Sequence, residues 1–321
     1  MSIRHKATLA AIMILTLAAG CVAAEPTPPT PVPPTDTPTA TSIPSTETPI
    51  PVSSPTPTLS PVEVIKNVSY VPAGVQEQKL DIYLPTSGNR PFPALFMIHE
   101  GHGHKEQMGF WGRAFAEQGY AAVSINHRQW PDYEYPAHVE DAFCALAWVH
   151  ANAAIYNFDT QNVFAMGHSA GGTLVAMLGV VDDPSMYTEN CPYALPEDEW
   201  VQGIIPFTGI FDYATAIEQS SRLEDYAVDL LGGGLDEAPA IWAEASAITW
   251  VDGSEPPFLL IHGAADGNIS PGQSQDFAEV LRTAGVEVEL LLIPDAGHEQ
   301  ITRSEQSLQA VEAFLVQFLR Q

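Results

Sequence analysis

The stretch Val163-Phe164-Ala165-Met166-Gly167-His168-Ser169-Ala170-Gly171-Gly172-Thr173-Leu174 decides the fold. Four apolar residues run into a Gly-x-Ser-x-Gly pentapeptide, and an Ala/Leu/Val helical pattern follows to about Leu178. That order predicts a buried strand, a sharp turn and a helix, with the Ser169 hydroxyl raised at the top of a sheet. Glycines at 167 and 171 suit the turn, because side chains there would meet the neighbouring strand and helix. The pentapeptide alone recurs by chance, so its weight comes from the residues downstream.

Outward from this segment, strand and helix patterns take turns. Val64–Tyr70 and Gln78–Tyr83 alternate like an antiparallel strand pair around a Pro-Ala-Gly turn. Further apolar runs at Ala94–Ile98, Ala121–Ile125, Gly203–Phe207, Phe258–Ile261 and Val286–Ile293 predict strands. Helical spacing covers Phe110–Gln118, Ala137–Ala154, Gln273–Ala284 and Ser304–Leu319. The alternation predicts an α/β domain: a mostly parallel central sheet covered by helices on both faces, with an N-terminal antiparallel strand pair. Asp182 to about Val251 is irregular, acidic and aromatic, the place for an inserted lid or pocket wall.

Serine is a weak nucleophile and needs a base beside it, itself oriented by a carboxylate. Asp266 ends Phe258-Leu259-Leu260-Ile261-His262-Gly263-Ala264-Ala265-Asp266, and His298 ends Leu291-Leu292-Ile293-Pro294-Asp295-Ala296-Gly297-His298. Both lie just past a predicted strand, as Ser169 does, at the sheet edge where open α/β folds bind ligands. Spacings of 97 and 32 residues leave room for the intervening elements. Other carboxylates rank lower: Asp295 as a turn former, Glu299 as a solvated neighbour, Asp212 as a residue lining the pocket. A tetrahedral oxyanion needs fixed N–H donors. Ala170, directly after the serine, is one candidate; the loop His99-Glu100-Gly101-His102-Gly103-His104 after a strand offers the other.

These motifs together resemble an α/β-hydrolase-fold serine esterase of the hormone-sensitive-lipase-like, bacterial acetyl- or feruloyl-esterase-like group. His99-Glu100-Gly101-His102-Gly103 is similar to that group's His-Gly-Gly-Gly loop, and Gly167–Gly172 to its elbow. Asn126-His127-Arg128 resembles its Asn-Tyr-Arg segment, and Pro136–Ala142 its Pro-Ala-x-x-x-Asp-Ala helix start. The resemblance, from about Val62 to the end, implies the order Ser169, Asp266, His298 for the triad. It also implies Gly101 and His102 as oxyanion donors beside Ala170. Glu100 and His102 depart from glycine there, so the loop is expected to be strained or differently shaped. The implied activity is hydrolysis of short or polysaccharide-borne acyl esters without a cofactor. A serine peptidase, an arylformamidase and a non-catalytic surface-binding lipoprotein are the rival readings.

Arg128 and Asp141 read as a structural pair, and Trp111 and Trp130 as candidate pocket walls. No metal is expected from His99, His102 and His104, because Gly103 stands where a His-Glu-x-x-His motif needs its second histidine.

Composition bounds the partners. The chain of 321 residues carries a formal charge of −27. From Val62 onward 10 basic side chains face 36 acidic ones, which disfavours nucleic acid and anionic membrane surfaces. Residues 1–20 read as a signal peptide with Arg4 and Lys6 before an apolar run. Leu17-Ala18-Ala19-Gly20-Cys21 resembles a bacterial lipobox, with Ala18 where Leu is usual, making Cys21 the lipidation site. The alternative is cleavage near Ala23 or Ala24. Residues 21–61, mostly Pro, Thr and Ser, read as a disordered tether, and 62–321 as the catalytic domain. Expected localisation is therefore extracytoplasmic, with membrane contact only through the lipid anchor. Cys144 lies on an apolar helix face and is expected as a buried free thiol; pairing with Cys191 suits the compartment but is the lesser expectation.

Overall fold

A computed structural model describes residues 61–197 and 199–320. The signal peptide, Cys21 and all of the Pro/Thr/Ser stretch except Pro61 lie outside the described residues. Eight strands form one sheet: β1 (Val62–Ser69), β2 (Lys79–Pro85), β3 (Phe92–Ile98), β4 (Ala121–Ile125), β5 (Phe158–His168), β6 (Gly203–Phe207), β7 (Phe258–Gly263) and β8 (Val288–Ile293). Their spatial order is β1-β2-β4-β3-β5-β6-β7-β8. β1 and β2 pair antiparallel, as does β2 with β4, and every later pairing is parallel.

The helices are α1 (Gly109–Glu117), α2 (Ala137–Ala151), α3 (Ala153–Tyr156), α4 (Ala170–Val180), α5 (Ser185–Thr188), α6 (Tyr213–Gln219), α7 (Glu224–Leu231), α8 (Pro239–Ala245), α9 (Gly272–Ala284) and α10 (Glu305–Phe318). The predicted helix over Ala137–Ala154 breaks at Asn152, and the short α3 then ends at Asn157 in the left-handed region, φ +59°. β3 shows why the central strands are apolar without alternation. Its Leu95 and Met97 pack with Trp111, Phe115 and Phe314 on one face. Ala94, Phe96 and Ile98 pack with Phe143, Leu174 and Phe277 on the other.

The irregular segment contains β6 and α5 to α8, and it builds a small core of its own. Tyr213, Ala216, Ala227, Leu230, Trp242 and Ala245 cluster there with Ile210 and Ile269. The structure also corrects the reading of Cys144, which is bonded to Cys191 with Cα atoms 5.4 Å apart. α2 packs against α5, and Cys191 follows α5 by three residues, so the two thiols meet across 47 residues of chain. Arg128 and Asp141 form the expected structural pair. The Arg128 guanidinium and amide both donate to the Asp141 carboxylate (Nε to Oδ2 3.0 Å, amide to Oδ2 2.7 Å), tying the loop after β4 to the start of α2.

Candidate active site

β5 ends at His168 and α4 begins at Ala170, which leaves Ser169 alone in the turn with φ +56° and ψ −117°. Such a conformation costs a non-glycine residue about 1–3 kcal/mol and persists only where the surroundings over-determine it. Close packing does so here. A Cβ on Gly167 would stand 2.2 Å from the Gly171 carbonyl oxygen, and one on Gly171 would stand 2.3 Å from that of Ile98. The Ser169 amide donates to the Phe207 carbonyl at 2.9 Å, which fastens the turn to β6.

The loops after β7 and β8 are laced together. The Ala264 amide donates to Ile293 and the Ala265 amide to Ala296, both at 2.9 Å. Asp295 makes the turn with φ +58°, the role read for it. These bonds carry Asp266 and His298 to the serine. His298 Nε2 lies 2.9 Å from Ser169 Oγ, and Nδ1 lies 2.7 Å from Asp266 Oδ2. Asp266 Oδ1 accepts from the Asn268 amide at 2.8 Å and the Ile269 amide at 3.0 Å. Burial pushes its pKa up, but bonds from His262, His298 and the Asn268 amide outweigh that and hold the carboxyl well below the usual range. Asp266 therefore stays ionised wherever an imidazole titrates.

Ser169, Ala170, Gly101, His102 and His298 line one cavity of about 280 Å³, walled by Ile210, Tyr213, Leu223 and Tyr226. Ala170 is the first residue of α4, whose free N–H groups and dipole favour negative charge. His102 takes φ +57°, so the departure from glycine is met by a left-handed histidine. The loop is anchored behind by Lys105. That side chain is 2% exposed and paired at 3.1 Å with the buried Asp81, and its amide donates to Asn126 Oδ1 at 2.6 Å.

Three sequence readings need correction. Asp212 does not line the cavity: its carboxylate accepts from the Ala214 amide at 3.0 Å and caps α6. Trp130 packs edge-on against His102, 5.5 Å between rings, and lines a small recess of about 30 Å³ with Gly101, His102, Ala170 and Tyr226, adjoining the main cavity without lining it. Trp111 is buried against Phe115 and Phe207, and reaches a neighbouring cavity of about 900 Å³ instead. His99, His102 and His104 do not converge. His99 is buried and stacks on His127 at 4.8 Å, His102 meets Trp130, and His104 is exposed beside Glu106. A cavity of about 510 Å³ between Trp200 and Arg320 has no serine–histidine pair in its lining.

Sequence reasoning missed several residues. His262, in β7, lies 3.4 Å from Asp266 Oδ2 and 2.7 Å from Ser274 Oγ. Tyr226 and Leu223 sit in the irregular segment, where no spacing rule marks them. His168, between Gly167 and the serine, has Nε2 2.9 Å from the His298 carbonyl oxygen. Burial, aided by the His298 ring, pushes its pKa down to about 4, so the ring is neutral at neutral pH. Glu100 is shifted up by burial and by the Glu299 carboxyl opposite it. Glu299 is exposed, as read from the sequence, and its carboxyl also faces Glu100.

A sheet in this order, with a strained serine between its fifth strand and the following helix, is the α/β-hydrolase fold. A family model described as BD-FAE matches residues 80–281, and the chain belongs to the BD-FAE family. Esterase LipC of Mycobacterium tuberculosis is 30% identical over 232 residues, 69% of this chain and 56% of that protein. Esterase LipQ of the same organism is 29% identical over 262 residues, 78% of this chain and 61% of that protein. The chain thus spans little more than half the length of these curated relatives. Among solved structures, a truncated form of a carbohydrate esterase from gut microbiota matches with TM-score 0.68 at 24% identity. The match covers 82% of this chain and 98% of that one, a likeness in fold.

Proposed function

We propose that the chain is an extracytoplasmic serine carboxylesterase acting on short-chain or polysaccharide-borne acyl esters. The observation that carries the reading is the Ser169–His298–Asp266 relay, with both hydrogen bonds under 3 Å. Esterases among the relatives support it, as does a carbohydrate esterase among the fold neighbours. Ser169 Oγ attacks the ester carbonyl while His298 Nε2 takes its proton. Asp266 holds the ring and stabilises its charged form. The amides of Ala170 and of the Gly101–His102 loop receive the oxyanion. Collapse expels the alcohol, protonated by His298, and leaves an acyl-enzyme. A water deprotonated by the same imidazole then releases the acid and restores Ser169.

A cavity of about 280 Å³ lined by Ile210, Leu223 and Tyr226 suits a small acyl group. Pocket volumes for drug-sized ligands start near ~300 Å³. Turnover of p-nitrophenyl esters by the purified protein should therefore fall from acetate through butyrate to octanoate. Equal or rising rates along that series would remove the short-chain assignment, and cleavage of peptide anilides in preference to esters would favour a peptidase.

The location rests on the sequence before the described residues, where Cys21 would carry the lipid and residues 21–61 would hold the domain off the bilayer. Cys21→Ser should move the protein from the membrane fraction to the soluble one. Unchanged partitioning would defeat the anchor.

A further inference from the structure

The nucleophile cavity and the larger cavity beside it share two lining carboxylates, Glu100 and Glu299. One follows β3, and the other follows His298 directly. Ligand atoms of Glu100, Glu299, His168 and His298 all lie within 4.8 Å of one another. The hydrogen-bond roles of His168 sharpen this. Its Nε2 faces a carbonyl oxygen, which only accepts, so Nε2 bears the proton and Nδ1 of the neutral ring presents a bare lone pair. The side chain is 6% exposed, and Nδ1 points at Glu100 Oε2 from 3.5 Å without a hydrogen bond between them. A lone pair opposed to one carboxylate, itself opposed to another, is repulsive unless a proton or a cation lies among them. A metal-ligating imidazole ordinarily donates its second N–H to a backbone carbonyl, and His168 does so.

We propose that His168 Nδ1, Glu100 and Glu299 form a binding site for a divalent transition cation, best matched by Zn²⁺, whose occupation switches off the adjacent serine centre. One imidazole and two carboxylates suit Zn²⁺, whereas Mg²⁺ and Ca²⁺ favour shells of oxygen alone. His298 is not counted as a ligand, because both of its nitrogens are engaged by Asp266 and Ser169. A double positive charge this close opposes the imidazolium that His298 must become during acyl transfer. Binding itself goes beyond the esterase reading; only the inhibition rests on it.

The test is equilibrium dialysis of the full chain carrying Ser169→Ala against Zn²⁺, with excess Mg²⁺ present to occupy the acidic surface. One equivalent should bind, and Glu100→Gln or Glu299→Gln, which keep side-chain size, should each weaken it by at least ~10-fold. In the otherwise unmodified chain, p-nitrophenyl acetate hydrolysis should fall over the same free Zn²⁺ range and recover with EDTA. Glu299→Gln should move that midpoint by the factor seen in dialysis. No stoichiometric uptake, as a proton shared by the two carboxyls would give, overturns the site. So does uptake equal in the parent and both glutamine variants. Dialysis needs no turnover, so a chain that binds Zn²⁺ yet hydrolyses nothing would sink the esterase reading and leave the cation site standing.

Discussion

Ser169→Ala is expected to lower kcat/KM for p-nitrophenyl acetate by ~10³-fold or more. The side-chain oxygen has one hydrogen-bond partner among the described residues, His298 Nε2, and no packing role that alanine would forfeit. Alanine keeps the Cβ, so the turn at φ +56° stays as strained as before, and Gly167 and Gly171 still admit it. Circular dichroism and the thermal midpoint should accordingly match the parent. What disappears is the covalent route. Any residual rate comes from cavity binding and the amides of Ala170 and the Gly101 loop, which act on water attack as well. The loss should fall on kcat with KM nearly unchanged, because the hydroxyl does its work in the transition state. Equal turnover by both proteins would remove Ser169 from the mechanism.

The parts of this site that sequence could reveal are those made locally at strand ends. Each triad residue lies within a few positions of an apolar run, and a buried parallel strand delivers its next loop to the same edge of the sheet as its neighbours. Ser169, Asp266 and His298 therefore converge although 97 and 32 residues separate them. The cavity walls are different. Tyr226 and Leu223 are placed by the small core that α6, α7 and α8 build together, and that core depends on tertiary packing which no period announces. Pairing of Cys144 with Cys191 likewise follows from the contact of α5 with α2. Asp212 was open to a better reading. An aspartate immediately before Tyr213-Ala214-Thr215-Ala216 is a helix N-cap as readily as a strand-end acid, and local amides were nearer than the cavity. His168 was hidden by its own motif, since the residue between glycine and serine carries no requirement in the pentapeptide.

Asp266→Asn is the second large effect, expected near ~10⁴-fold on kcat with the fold intact. All of the protein contacts of this carboxylate require it to accept. Oδ1 takes the Asn268 and Ile269 amides, while Oδ2 takes the proton on His298 Nδ1 and faces His262 Nε2 at 3.4 Å. An asparagine has one accepting oxygen. The two backbone amides at 2.8 and 3.0 Å cannot turn away, so the oxygen stays with them and the NH₂ group takes the place of Oδ2. A donor now faces His298 Nδ1, which must become the acceptor, and the ring proton moves to Nε2. There it meets Ser169 Oγ and can no longer remove the hydroxyl proton. The outcome is an ordered site with the wrong tautomer, so structure and thermal stability should change far less than the rate. Asp212→Asn is the control, because asparagine caps a helix about as well as aspartate and the carboxylate there bonds only to the start of α6. Activity of that variant should stay within a few-fold of the parent. The opposite pattern, with Asp266→Asn active and Asp212→Asn dead, would transfer the orienting role to the acid beyond β6.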